Sequence, residues 1–410
     1  MEVWTSVEDS LVILGPPRAG KGLHLVIPMI LDAPGPVITT STRPDNLTAT
    51  LTARTKRGPV AVFDPQGLAP NNPATTKWSP IRGCDDPQTA MIRARALAAG
   101  SADQIENSGF WRAQTESALR AFLHAAALDG RGAKELYRWS LDPSAAGEAV
   151  RILNANHRAA PGWADALDAI VNGDPRTRDN SWAGIRVALT PLADPRVLHA
   201  VTPSAGQQFE PAAFLTGHGT LYLLGTANGV GAAANFVAAL IEDIIDVARR
   251  TAATAPGGRL DPPLALILDE AANYALPSLP GLISEGGGTG ITTIAVLQSL
   301  AQARSRWGEH DGASIWDAAS VKIILGGGSN ARDLQDLGSL IGERDDHTQA
   351  WSHDSHGLRT LTTNVRRVPI LDTGRLRTLP FGTAILLLRT ARPIILDMHP
   401  WTDRAEADPG

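Results

Sequence analysis

Two stretches carry residue types, in an order, that suit phosphate chemistry. The first is Gly15-Pro16-Pro17-Arg18-Ala19-Gly20-Lys21-Gly22. Glycines let a backbone turn sharply with its N–H groups pointing inward. A helix that follows adds unpaired N–H groups and the positive end of its dipole. Lys21 reaches the outer phosphates as a point charge. Leu11-Val12-Ile13-Leu14 reads as a buried strand and residues 23–31 as a helix. That strand–loop–helix order is the context a phosphate-binding loop requires. The whole run from Gly15 to Gly22 is therefore a candidate nucleotide cradle. It departs from the usual pattern at one place. A Ser or Thr hydroxyl that binds magnesium normally follows the lysine, and here Gly22 stands there. For the string alone, an ordinary strand–helix turn is the competing reading.

The second stretch is Leu264-Ala265-Leu266-Ile267-Leu268-Asp269-Glu270. Its apolar run suits a central parallel strand buried on both faces, and it ends in two adjacent carboxylates. In P-loop ATPases the first such acid holds magnesium, here Asp269 and usually through water, and the second, Glu270, polarises the attacking water. The competing reading is a strand followed by a helix whose first turn carries acids that suit its dipole. Both stretches end strands at the edge where open α/β sheets bind ligands, so together they point to a nucleotide site. A third candidate is Gln298, at the end of the β-branched run Ile291-Thr292-Thr293-Ile294-Ala295-Val296-Leu297. Beside an acid pair it suits sensing of a terminal phosphate; by itself it reads as a solvated strand end.

The elements that must position these residues alternate. Strands are expected at 36–41, 59–64, 220–224, 264–268, 291–297 and 321–325, with helices at 47–57, 232–248 and 331–341, the signature of a mostly parallel sheet. Residues 86–196 break the alternation with helical periodicity and almost no strand signal. Trp111, Trp139, Trp163 and Trp182 in that block read as packing residues rather than a base-stacking platform. The domain division read from this is 1–85 and 206–402 for the nucleotide-binding domain, 86–205 for an all-α insertion and 403–410 for a tail. Residues 251–263 read as a linker, 281–290 as a loop around Gly286-Gly287-Gly288, and 345–363 as an exposed polar loop. His347, His353 and His356 lie in that loop without standard metal spacing. Two closing strands near 384–389 and 393–397 read as an antiparallel hairpin at a sheet edge.

Composition bounds the rest. The chain has 410 residues, 43% hydrophobic and 19% charged, so it is globular. No apolar run approaches the ~20 residues needed to span a bilayer, and Met1 leads almost directly into the first strand. The chain as it stands is expected to be soluble, with an upstream segment missing. Cys84 is the single cysteine, so no intrachain disulfide forms, which fits a reducing cytosol. The net charge of -5 shows no overall nucleic-acid signature. Arg359, Arg366, Arg367, Arg375 and Arg377 form the most basic stretch; it reads as a solvated face and is also the best candidate for phosphate-backbone contact.

The combined features resemble one family, the TraG/TraD-like coupling-protein ATPases of conjugation and type IV secretion. The likeness runs through the P-loop followed by Val26-Ile27-Pro28, Val62-Phe63-Asp64-Pro65, Lys77-Trp78-Ser79-Pro80, Phe110-Trp111, the acid-pair strand, Leu297-Gln298-Ser299 and Val368-Pro369-Ile370-Leu371. Glycine after the P-loop lysine is common in that family. The resemblance implies a RecA-like motor fold with an all-α insertion. It implies an ATP- and Mg2+-dependent activity in which Lys21 binds phosphate, Asp269 holds magnesium, Glu270 acts on water and Gln298 is the sensor. It further implies a homo-hexameric ring around DNA when membrane-anchored, at the cytoplasmic side of the bacterial inner membrane. A relaxase–DNA or secreted-protein cargo would be received by the all-α part and passed to a secretion channel; this stretch alone would be unsurprising as a monomer. The stretch Glu285-Gly286-Gly287-Gly288-Thr289 lacks the arginine many members carry there, leaving Arg304, Arg306 or Arg332 as substitutes. Two other readings stay open: a nucleotide-binding docking platform with little turnover, and an FtsK-type DNA translocase.

Overall fold

The computed structural model describes residues 2–70, 72–99, 108–204, 206–226, 233–353 and 359–404. Among them are strands β1 Leu11–Leu14, β2 Val37–Ser41, β3 Val60–Phe63, β4 Thr220–Leu224, β5 Leu264–Leu268, β6 Ile291–Leu297, β7 Val321–Leu325, β8 Glu343–His353, β9 Arg359–Pro369, β10 Thr383–Leu388 and β11 Ile394–Asp397. Nine strands form one sheet in the order β11-β10-β7-β1-β6-β5-β2-β4-β3. It is parallel from β7 to β3, while β10 and β11 pair antiparallel at one edge. This is the expected mostly parallel α/β fold with helices inserted between β3 and β4.

β1, β2, β4 and β5 are buried at every position, as parallel strands covered on both faces must be. Successive side chains point to opposite faces. Leu11 and Ile13 pack with Leu25, Val26 and Ile30 from the turn and helix after the P-loop. Val12 and Leu14 join a second core that passes through Ile38, Leu266 and Leu268 into the inserted helices. The insertion thus shares a core with one face of the sheet. Trp139 and Trp182 are fully buried there, in a packing role.

The inserted helices start by one repeated device. Asp86, Asp142, Asp174 and Asp194 each precede a proline and accept backbone N–H groups from the first turn. The aspartate satisfies orphan donors and the proline gives up an N–H that had no partner. A buried polar contact joins the insertion to the helix Ala234–Thr254. The Trp78 indole donates to Asp243 at 2.8 Å, Arg93 pairs with Asp243 at 2.7 Å, and the Arg93 guanidinium lies 4.7 Å from the Trp78 ring centre.

Four expectations need correction. The helix after β4 runs to Thr254, so the supposed linker begins later; Arg250 reaches back to Asp246 and helps it continue. Residues 281–290 are not a loop but a helix, Leu279–Glu285, and a tight turn, Gly286–Thr289. Gly287 is there for space: a Cβ on it would sit 2.0 Å from the Glu8 carbonyl oxygen. The stretch from Leu23 starts as a wide π-type turn, Gly22–Val26, before the α-helix Ile27–Asp32.

The fourth correction is the largest. The polar segment expected as a loop forms the β8–β9 ribbon, in register from Glu343↔Pro369 to His353↔Arg359. Consecutive residues 343–349 and 363–367 are all exposed, so both faces of that part of the ribbon are bare. No apolar alternation exists to announce such strands. His347 and His353 lie on one strand and the described residues contain no metal-binding cluster; His356 lies outside them. Arg366 and Arg367 stand opposite Asp346 and Asp345, which halves the basic character of that stretch. No helix of the described residues is long and apolar enough to cross a membrane.

Candidate functional site

The P-loop leaves β1 at Gly15, whose N–H donates to the Leu297 carbonyl at 3.0 Å and so extends the ladder to β6. A Cβ on Gly15 would meet the Leu325 side chain at 2.8 Å. Arg18 and Gly20 both take positive φ, 64° and 86°, and these turn the loop back toward the helix. The Lys21 ammonium donates to the carbonyls of Gly15 at 2.6 Å and Pro16 at 3.1 Å. Burial pulls it below its usual basicity, against the opposing fields of Asp269 and Glu270. Around a Cβ built on Gly22 there is no atom within 4 Å. The missing hydroxyl is therefore not a matter of space.

The acid pair follows β5, one strand removed from β1, with β6 between them. Burial pushes the Asp269 carboxyl up to about 6; Glu270 adds to the push, and Lys21 and Asn46 oppose it. The Asp269 carbonyl accepts from Thr40 at 2.9 Å. Glu270 sits in the left-handed region, φ 54° and ψ 47°, a conformation that costs on the order of 1–3 kcal/mol and persists only where its surroundings fix it. The fixing groups are present. Glu270 Oε2 accepts from Thr42 Oγ1 at 3.1 Å and from Asn273 Nδ2 at 2.8 Å. Arg306 donates to the Ala272 carbonyl at 3.0 Å, and Tyr274, whose phenol burial raises, donates to the Gly225 carbonyl at 2.9 Å.

Gln298 ends β6, between the P-loop and the acids. Asp333 holds its loop by accepting from the N–H groups of Leu300 at 3.0 Å and Ala301 at 3.4 Å and from Arg304 at 2.8 Å. A cavity of about 450 Å³ lies here, lined in part by Pro16, Pro17, Gln298, Ser299 and Asn330. Lys21, Asp269, Glu270 and Gln298 are thus gathered at the C-terminal ends of β1, β5 and β6. Thr42, Asn46 and Asn273 escaped the sequence reading. Nothing local marks Thr42 or Asn46; they matter because β2 is the neighbour of β5. Of the arginines weighed as substitutes, Arg304 is engaged by Asp333 and Arg306 by Ala272, while Arg332 is mostly exposed and 3.9 Å from Glu309. Gly286–Thr289 precedes β6 and so lies at the opposite end of that strand from Gln298.

Residues 263–381 match the family model described as the TraM recognition site of TraD and TraG. Over this segment the chain is TraG/TraD-like. Its fold agrees: the bacterial conjugative coupling protein TrwBdeltaN70 in its unbound form is similar over 96% of this chain and 85% of its own, at a TM-score of 0.68 and 18% identity. TrwB with ADP and Mg2+ covers 96% and 86%, at 0.66 and 17%. VirB4 of Thermoanaerobacter pseudethanolicus is more distant, covering 99% and 94% at 0.53 and 11%. Other TrwB structures hold non-hydrolysable analogues of GTP and of ATP. No curated protein matches the sequence. The P-loop lies outside the matched family segment, and the acid pair, Gln298 and the β8–β9 ribbon lie inside it.

Proposed function

We propose that this TraG/TraD-like chain is an ATP-driven coupling protein that receives relaxase–DNA or protein cargo and moves it toward a type IV secretion or conjugation channel. The observation that carries the reading is the gathering of Lys21, Asp269, Glu270 and Gln298 at the ends of β1, β5 and β6. In the proposed mechanism the loop N–H groups and Lys21 bind the phosphates, with the ammonium turning from the carbonyls of Gly15 and Pro16 to the outer phosphate oxygens. Asp269 and the phosphates would hold Mg2+, the aspartate through water. The residues fit that ion: two half-buried neighbouring carboxylates, one pushed up to about 6, face a single lysine. Bound magnesium supplies charge neutralisation to the phosphoryl group being transferred. Glu270, held by Thr42 and Asn273, orients the attacking water and accepts its proton. Gln298 senses the terminal phosphate.

The same reading assigns the helices of residues 86–205 to cargo, assembly to a homo-hexamer when anchored at the cytoplasmic face of the inner membrane, and DNA contact to the phosphate backbone. The matched segment bears the name of TraM recognition, which supports a protein partner on the transfer side. DNA affinity is expected to fall steeply with salt.

A specific observation favours one second reading, a docking platform that binds nucleotide and turns it over little. Gly22 offers no hydroxyl to magnesium although space exists for one. ATP turnover with and without single- and double-stranded DNA decides between them. DNA-stimulated turnover that falls at least 100-fold in Lys21→Ala and Glu270→Gln supports the motor. ATP binding lost in Lys21→Ala, without turnover in the parent on any DNA, supports the platform. Absence of nucleotide binding defeats both.

A further inference from the structure

We infer that Phe381 is the platform on which the base of the bound nucleotide stacks, so that the site reads the face of the ring and takes ATP and GTP alike. This rests on the nucleotide-binding reading above and adds to it a residue on the far side of the P-loop from the acids.

The sheet order sets the direction in which a nucleotide must lie. Asp269 and Glu270 follow β5, two places from β1 on one side; Phe381 precedes β10, two places from β1 on the other. The phosphate end faces Lys21 and the acids. The nucleoside end then leaves the loop past Gly20 toward β10. There the Phe381 ring stands against the loop, its Cε2 3.0 Å from where a Cβ on Gly20 would be. The ring also meets His24 edge to face, with centres 5.1 Å apart at 71°. His24 Nδ1 in turn lies 3.2 Å from the Gly20 carbonyl oxygen.

The turn that carries Phe381 is well held, yet the ring is 67% exposed. Gly327 N–H donates to the Arg377 carbonyl at 2.8 Å, Thr383 N–H to Pro380 at 3.0 Å and Met398 N–H to Gly382 at 2.7 Å. Gly382 takes φ +86° to close the turn. A large aromatic fixed at its base and bare on its face, beside a phosphate loop, is suited to stacking. Stacking uses a surface common to all bases and so does not discriminate among them.

The test is calorimetric titration of the full chain with ATP, GTP and inorganic tripolyphosphate, each with Mg2+. Because the ring is exposed, its removal leaves the core intact, and a thermal melt checks that. Phe381→Ala is expected to weaken ATP and GTP by the same factor, roughly tenfold or more, and to leave tripolyphosphate unchanged. Phe381→Trp is expected to restore both nucleotides. ATP affinity within twofold of the parent in Phe381→Ala, or an equal loss for tripolyphosphate, overturns the assignment while leaving nucleotide binding in place. A changed oligomer mass with unchanged ATP affinity overturns it too, in favour of a subunit contact. A parent chain that binds neither ATP nor tripolyphosphate defeats the nucleotide reading itself.

Discussion

The ends of β2 and β5 and the β8–β9 ribbon are both rich in polar residues, and they are organised in opposite ways. At the strand ends Thr40, Thr42, Asn273 and Tyr274 each have a named partner, and two of them, Thr42 and Asn273, bond the side chain of a glutamate in a left-handed backbone. In the ribbon, cross-strand charge pairs such as Asp345–Arg367 stand in solvent at 3.9 Å, where an ion pair is worth ~0–1 kcal/mol. Burial is what separates the two. A polar group inside the protein must be paired and therefore fixes geometry; the same group outside is satisfied by water and fixes little.

The contrast is broken most severely at Arg54. It is fully buried and donates to Thr220 Oγ1 at 2.7 Å and to the carbonyls of Ala33 and Gly35 at 3.1 Å, tying the end of the P-loop helix to the starts of β2 and β4. Arg54→Met leaves these acceptors unpaired and is expected to cost about 3–5 kcal/mol in urea unfolding. A loss below about 1 kcal/mol would mean that polar satisfaction is not what organises this end of the sheet.

Asp269 comes next, with the opposite sign. Its folded carboxyl, at about 6, binds protons more tightly than in the unfolded chain, near 3.8. Stability of the parent therefore falls as pH rises through that window, and the cost is complete above it. Without added nucleotide, Asp269→Asn is expected to be more stable at pH 7.5 by about 2–3 kcal/mol, the gain fading toward pH 4. A variant no more stable than the parent at pH 7.5 would show the carboxylate already compensated. Binding of Mg2+ needs the ionised form, so magnesium affinity should drop below about pH 6.

A smaller effect is expected at Thr42. Thr42→Val keeps the shape and removes one of the two donors to Glu270 Oε2, and saturating turnover should fall roughly three- to tenfold, about 1 kcal/mol. Unchanged kcat would leave Asn273 as the sufficient anchor. The least effect is expected in the ribbon. Replacing residues 345–367 by a short glycine turn should shift unfolding by no more than about 0.5 kcal/mol, since residues 345–349 and 363–367 are exposed. A larger loss would show that the ribbon packs on something the exposed residues do not reveal.

Much of the fold was legible because hydrophobic runs and glycine loops are local signals. Leu11–Leu14, Leu264–Leu268 and Ile291–Leu297 announce buried strands, and the break in alternation from residue 86 announces helices. The ribbon was not legible, since Glu343–His353 carries no apolar face and its pairing partner begins six residues after it ends. The triple glycine at 286–288 misled for a related reason: what requires Gly287, the passing backbone of Glu8, is distant in sequence.

By itself the sequence determined the mostly parallel α/β class, the place of the helical insertion, and the lysine, acid pair and glutamine at strand ends. Each follows from residue type and short spacing. Tertiary structure alone decided that β6 lies between β1 and β5, that Thr42 and Asn273 hold Glu270, that Gly22 has open space beside it, and that Phe381 stands over the P-loop. These depend on which strands become neighbours, and strand order is set by how the whole core packs, not by any segment read alone.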